Sequence, residues 1–229
     1  MWWNWVYGLT TCPLCKRQPS RQQGCCEACA AEIDARLEPQ HLAFELTLGE
    51  YGGSLESAIQ AYKFHNTPQL HVLFADLLAR ELRKARYVAT QGARALDLSH
   101  FPHQTHCNAM LTPWQIDVVC AVPLHWQRHL QRGYNQAALL ARRLAKSQGI
   151  PYQRLLSRPS ATQQQAKLDA DARLDNISGA FRAKPATGKR VLLVDDVLTT
   201  RATTTECALT LLEAGAACVY CVGIVRANR

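Results

Sequence analysis

The sequence predicts an α/β protein built on a parallel sheet, preceded by a small metal-binding module and a helical region. Three observations carry that prediction. Short apolar runs at 116–123 (IDVVCAVP), 190–196 (RVLLVDD) and 218–225 (CVYCVGIV) alternate with helical patterns at 135–148 and 202–215, the pattern of parallel strands joined by right-handed crossovers. Two CxxC pairs lie near the start of the chain. One apolar run, VLLV at 191–194, ends in two adjacent carboxylates, Asp195 and Asp196, and enters a hydroxyl-rich turn, TTRATTTE.

A chain of 229 residues buries one sizeable core and leaves about 30–60 residues for a satellite. The predicted division is a zinc ribbon over 1–40, a helical hood region over 41–112 and an α/β domain over 113–229. Hydrophobic content of 48% and charged content of 19% are those of an ordinary globular protein, which excludes disordered and fibrous classes. No apolar run approaches the ~18–20 residues that span a bilayer. The opening MWWNWVYGL has neither a basic region nor a small-residue cleavage site, which argues against export; its tryptophans read as packing or as an interfacial anchor.

In CPLCKRQPSRQQGCCEACA, a ten-residue spacer separates Cys12-x2-Cys15 from Cys26-x2-Cys29. Two such knuckles present four thiolates to one tetrahedral Zn2+, and a module this small has too little apolar surface to fold without its metal. Cys25 is a spare thiol, or a substitute ligand if the second pair is Cys25-x3-Cys29. Four thiolates leave no open coordination position, so the role is structural or partner-binding. Cys120, Cys218 and Cys221 lie in apolar runs, where cysteine behaves as a small hydrophobe; together with the knuckles they indicate a reducing compartment. HFPHQTHC holds His100, His103, His106 and Cys107 in a polar stretch that reads as a surface connection, because Pro102 opposes a regular helix.

Residues 55–64 and 69–86, separated by Pro68, show helical spacing, with Leu70, Leu73, Phe74, Leu77, Leu78 and Leu82 on one face. Asn135–Gln148 is a further helix, stopped by Gly149 and Pro151. The charge is uneven. Between Val118 and Leu168 there is no acid, while Arg128, Arg132, Arg142, Arg143, Lys146, Arg154, Arg158 and Lys167 are basic. The rest of the chain balances at 18 basic and 18 acidic residues. The net +8 therefore resides in one window, the footprint of a phosphorylated ligand, a nucleic acid or an anionic membrane, or simply a solvated basic face.

In a parallel sheet, ligands bind at the carboxyl ends of strands. Asp195 and Asp196 at such an end can accept hydrogen bonds from vicinal sugar hydroxyls or reach a divalent cation, and the threonine turn opening a helix offers N–H and hydroxyl groups to a phosphate. Together they describe a ribose 5-phosphate pocket.

This stretch resembles the phosphoribosyl-pyrophosphate (PRPP) motif of type I phosphoribosyltransferases, and the whole chain is similar to the ComF/GntX family. The similarity rests on the four-cysteine ribbon, YGGSLESAIQAYKF at 51–64, VPLHWQRHLQRGYNQAALLARRLA at 122–145, RPSATQQQAKLDADARLDNISGAF at 158–181 and the PRPP loop, in family order. The resemblance implies that Asp195 and Asp196 hold the ribose hydroxyls of Mg2+-bound PRPP, while Thr199, Thr200, Arg201, Ala202 and Thr203 wrap the 5-phosphate. It implies that the 123–135 turn is a pyrophosphate loop with Arg128 and Arg132 as ligands, and that 158–181 folds over substrate. It also implies a role in natural competence and DNA utilisation: passage of single-stranded DNA into the cytoplasm, with competence proteins as partners and a peripheral location at the inner face of the cell membrane. Arg142, Arg143 and Lys146, with Trp126, Tyr134 and Tyr152, are candidates for tracking a single strand. Two alternatives remain open: an active transferase with a nitrogen acceptor, and a zinc-dependent interaction module. Arg201 stands where the family has a small residue, and Thr199 where purine-salvage relatives carry an acid.

Overall fold

The computed structural model describes residues 11–12, 14–17, 25–35, 40–41, 45–64, 67–91, 115–124, 133–159, 180–199 and 203–227. The helices are α1 (Glu27–Ala35), α2 (Gly53–Phe64), α3 (Leu70–Gln91), α4 (Gln136–Gln148) and α5 (Thr203–Glu213). The strands are β1 (Gln40–His41), β2 (Glu45–Thr47), β3 (Val118–Ala121), β4 (Leu156–Ser157), β5 (Arg182–Ala183), β6 (Arg190–Val194), β7 (Val197–Thr199), β8 (Cys218–Gly223) and β9 (Val225–Ala227).

Five strands form the main sheet in the order β1-β2-β8-β6-β3. All pairings from β2 to β3 are parallel, and β1 adds an antiparallel edge. The parallel α/β class expected from the alternating runs is therefore what the chain adopts. β2 was not foreseen, because a three-residue strand carries no readable period.

β6 lies between β8 and β3, and its register follows from these neighbours. The carboxylate of Asp117, just before β3, accepts hydrogen bonds from the backbone N–H of Arg190 at 2.8 Å and from its guanidinium at 2.6 and 2.8 Å. This pins the starts of β3 and β6 together. The hydrogen bonds from Arg190 hold the Asp117 carboxyl down at about 2.

Strand alternation sends successive side chains to opposite faces. Leu192 and Val194 of β6, Tyr220 and Val222 of β8, and Val119 of β3 join one buried cluster with α2, α3 and α4. Val191, Leu193, Val219, Cys221 and Cys120 join a second cluster with Cys207 and Leu211 of α5. The sheet is thus covered on both faces, as continuous apolar runs require. The cysteines Cys120, Cys218 and Cys221 are buried core residues.

α4 is bounded by strong local signals. Asn135 accepts the Ala138 N–H on Oδ1 at 3.1 Å and donates through Nδ2 to the Val122 carbonyl, so the cap also ties the helix to the end of β3. Gly149 closes the helix at φ 65°, a left-handed position that glycine fills without steric cost.

After Asp196 the chain re-forms an extended stretch, β7, which pairs in parallel with β9. This stretch passes directly over Gly223. A Cβ there would lie 2.6 Å from Leu198 Cγ and 3.3 Å from the Leu198 backbone N. Gly223→Ala should therefore displace β7 and lower unfolding free energy by about 1–3 kcal/mol, read from urea denaturation; a variant as stable as wild type would show that the crossing is loose.

Candidate functional site

The end of β6 is where the sheet's hydrogen bonding and its apolar character part company. The ladder continues past Val194: the Asp195 N–H donates to the Val222 carbonyl, and the Ile224 N–H donates to the Asp196 carbonyl, both at 3.0 Å. The acids are therefore held as rigidly as strand residues. Their side chains leave the strand at successive positions but stay close enough to interact. Asp195 continues the series Val191, Leu193 toward α5, and Asp196 continues Leu192, Val194 toward α2.

Each carboxylate meets a different environment. Asp195 Oδ1 turns back to accept the Asp196 N–H at 2.8 Å. Burial first, then the adjacent charge of Asp196, pushes the Asp195 carboxyl up to about 8, against the opposing pull of Lys63. Asp196 Oδ2 pairs with Lys63 Nζ at 3.2 Å, with both side chains largely buried.

Lys63 was not singled out from the sequence, where it is one basic residue in the last turn of a helix. Its position is set by its neighbour. Tyr62 is fully buried and donates its hydroxyl to the Gln136 carbonyl at 2.7 Å. Tyr134 in turn donates to the Tyr62 carbonyl. The rings of Tyr62, Phe74 and Tyr134 pack at centroid distances of 5.8 and 6.2 Å. This lock fixes the end of α2 against the start of α4 and carries Lys63 over the acid pair.

Thr199 ends β7 and Thr203 opens α5, half-buried. Thr200, Arg201 and Ala202 lie outside the described residues, as do Arg128, Arg132 and Trp126, the histidine cluster 100–107 and the opening tryptophans.

The N-terminal cysteines converge. The sulfurs of Cys12, Cys15, Cys26 and Cys29 all lie within 4.8 Å of one another, and Cys15 Sγ stands 3.7 Å from Cys26 Sγ. A tetrahedron with metal–sulfur bonds near ~2.3 Å has edges of about 3.8 Å, so the donor set fits a metal ion. The first knuckle closes through the Lys16 N–H to the Cys12 carbonyl at 2.8 Å, with Lys16 at φ 57°. The second opens α1, which puts Cys26 and Cys29 on adjacent positions of one turn. Cys25 is outside the set: burial, then the neighbouring Cys12, Cys26 and Cys15, push its thiol up to about 12. The geometry thus selects Cys26 over Cys25.

In the basic window, Arg143 is bound by Asp76 of α3 through three hydrogen bonds of 3.1–3.3 Å. Arg142 lies over the Tyr152 ring at 5.3 Å, and Lys146 is exposed on the last turn of α4. Among the described residues no helix is long and apolar enough to cross a membrane.

No family model matches the chain. Comparison with known proteins does find relatives. The chain is 31% identical over 176 residues to the DNA utilization protein YhgH of Salmonella typhimurium, covering 76% of this chain and 68% of that protein. It is 30% identical over 185 residues to competence protein F of Haemophilus influenzae, covering 79% and 71%, and 29% identical over 212 residues to the Escherichia coli YhgH, covering 92% and 81%. The chain belongs to the ComF/GntX family of which these proteins are relatives. Among solved structures, similarity extends to the glutamine PRPP amidotransferase of B. subtilis complexed with ADP and GMP (TM-score 0.38, 20% identity, 71% of this chain and 30% of that one). It also extends to the adenine phosphoribosyltransferase of Leishmania tarentolae (TM-score 0.40, 14% identity, 82% and 94%).

The Asp195 environment has a consequence for stability. An acid whose folded pKa exceeds its unfolded value contributes stability below the unfolded pKa and loses it as pH rises. Asp195→Asn keeps an oxygen to accept the Asp196 N–H and removes that loss. Relative to wild type, the variant should gain stability progressively from about pH 4 to pH 8, reaching about 1 kcal/mol or more. Urea unfolding at several pH values checks this, and a pH-independent difference would show that Asp195 ionises as an ordinary carboxyl.

Proposed function

We propose that the corner formed by Asp195, Asp196 and the 199–203 turn binds PRPP with Mg2+, and that the chain serves natural competence or DNA utilisation by handling single-stranded DNA in the cytoplasm, at the inner face of the membrane. The observation that carries the reading is the acid pair itself. Two carboxylates are held rigidly at the carboxyl end of β6, an inner strand of the parallel sheet, with one cation, Lys63, to answer them, an arrangement suited to sugar hydroxyls or a cationic ligand. Asp195 and Asp196 would take the ribose hydroxyls, and Thr199, Thr200, Arg201, Ala202 and Thr203 the 5-phosphate. Arg128 and Arg132 would meet the pyrophosphate, and Mg2+ would neutralise its charge.

The names of the relatives, a competence protein and DNA utilization proteins, support the cellular role. Arg142, Arg143 and Lys146 supply strand contacts in this reading, and competence proteins are its partners. Residues 1–40 act as a Zn2+ module, 41–112 as a hood that carries Lys63, and 113–229 as the ligand-binding domain. Four thiolates with near-tetrahedral spacing favour Zn2+, a structural ion there with no open coordination position.

Calorimetric titration of Mg-PRPP tests the corner. Wild type is expected to bind, Asp196→Asn to lose about tenfold or more in affinity, and Arg201→Gly to retain binding. Absence of heat from both wild type and Arg201→Gly would remove the reading. A screen of nucleobases for pyrophosphate release then decides between a binding protein and a transferase.

For the metal, elemental analysis should find about one zinc per chain. Cys15→Ser and Cys26→Ser should each lower both zinc content and melting temperature, while Cys25→Ser keeps the metal. Zinc retained by Cys26→Ser but lost from Cys25→Ser would reverse the ligand assignment.

A further inference from the structure

A cavity of about 330 Å3 opens between α4 and the segment that follows it, on the side of β3 away from β6. Its two walls obey two different periods. Asn135, Ala138, Leu139 and Arg142 line it from α4 at positions i, i+3, i+4 and i+7, one face of a helix. Tyr152, Arg154, Leu156 and Arg158 line it from the facing segment at every second residue, one face of an extended chain. That segment is fastened to the sheet through a parallel bridge between Val119 and Tyr152, and β4 within it pairs with β5. The floor is Ala121, Pro123 and Leu124 at the end of β3.

The charge of this cavity is one-sided. Three guanidinium groups line it and, among the described residues, no carboxylate does. Among the described residues neither Arg142 nor Arg154 makes an ion pair; Arg142 is steadied instead by the Tyr152 ring, and Arg158 by the Phe181 ring at 5.2 Å. Because 118–168 contains no acid, local sequence cannot supply a counter-charge. Arginine offers planar, paired donors suited to phosphate oxygens, and two of them, Arg142 and Arg154, match the double charge of a phosphate monoester better than the single charge of a diester. The volume sits at the small end of the ~300–1,000 Å3 range of ligand pockets. It is large enough for one nucleotide, and Leu124, Leu139 and Leu156 provide apolar wall for the sugar and base.

We propose that this cavity is a second anion site, distinct from the acid-pair corner, that takes a single nucleotide through its 5′-phosphate monoester. The ligand is either a free mononucleotide or the phosphorylated 5′ end of a single strand. Its lining shares Pro123, Leu124, Tyr134 and Asn135 with the 123–135 turn read above as a pyrophosphate loop, but the proposal requires neither PRPP nor the acid pair.

The test is calorimetry on the full chain with four probes: dTMP, thymidine, and a thymidine tetranucleotide with and without a 5′-phosphate. Wild type should bind dTMP, the 5′-phosphorylated tetranucleotide or both, and bind the phosphate-free counterparts about tenfold or more weaker. Binding of dTMP identifies free nucleotides as a source, and binding of the tetranucleotide identifies strand ends. Arg142→Glu and Arg154→Glu, both exposed positions, should each lose about tenfold or more for the phosphorylated probe with unchanged melting curves. The Mg-PRPP titration of Arg154→Glu should match wild type whether or not wild type binds PRPP. No affinity of wild type for either phosphorylated probe overturns the proposal, as does affinity that both charge reversals leave intact. Stoichiometric competition between PRPP and dTMP, with both lost in Asp196→Asn, would assign the anion to the acid pair and overturn the separate site.

Discussion

A strand buried on both faces has no ordinary place for charge, and β6 ends in two charges at once. The rest of the site follows from how that conflict is resolved. Asp196 stays close enough to Asp195 to push its carboxyl up, and Lys63, paired with Asp196, opposes that push. Asp196 is answered by Lys63, brought from α2, and that answer holds only while α2 is fixed in place. The Tyr62–Gln136 and Tyr134–Tyr62 hydrogen bonds do this, and they join α2 to α4 across the top of the sheet. Asp195 has no equivalent cation and relies on a backbone N–H and on withholding its proton from solvent. The arrangement costs stability at neutral pH, the expected cost of keeping a carboxylate where a ligand can use it.

The metal module is coupled to the same layer. Cys12, Cys25 and Cys26 and Ile33 of α1 belong to the apolar cluster that contains Leu55, Ile59 and Tyr62 of α2. A metal that organises the four thiolates therefore also sets the outer surface against which α2 packs. An ion held by the four thiolates would thus have a mechanical link to the acid pair: it would fix α1, which packs in the same cluster as α2, and α2 carries Lys63.

Much of this was legible because it is local. The knuckle spacing, the Asn135 and Gly149 caps, and the run VLLVDD are patterns within a dozen residues, and each specifies its element by short-range physics. What was not legible depends on pairs distant in sequence. Lys63 and Asp196 are far apart in the chain, and no period in either segment points to the other. Arg143 looked equivalent to Arg142, yet Asp76 of a different helix binds one and leaves the other at a cavity. The choice of Cys26 over Cys25 also needed geometry, because both spacings can be written as knuckles. β2 escaped notice because three residues show no alternation, and its place is set by pairing with β8.

The distribution of charge now has a physical reading that composition alone could not supply. An acidic corner and a basic cavity sit on the carboxyl side of the same sheet, separated by the width of β3 and the start of α4. Had the excess arginines lain beside Asp195 and Asp196, they would have neutralised them and closed both sites. Instead the end of β3 enforces separation: Asn135 ties α4 to Val122, directing Arg142 away from β6, while Tyr62 holds Lys63 toward it. Among the described residues it is Lys63 that pairs with Asp196, while Arg142 and Arg154 line the cavity.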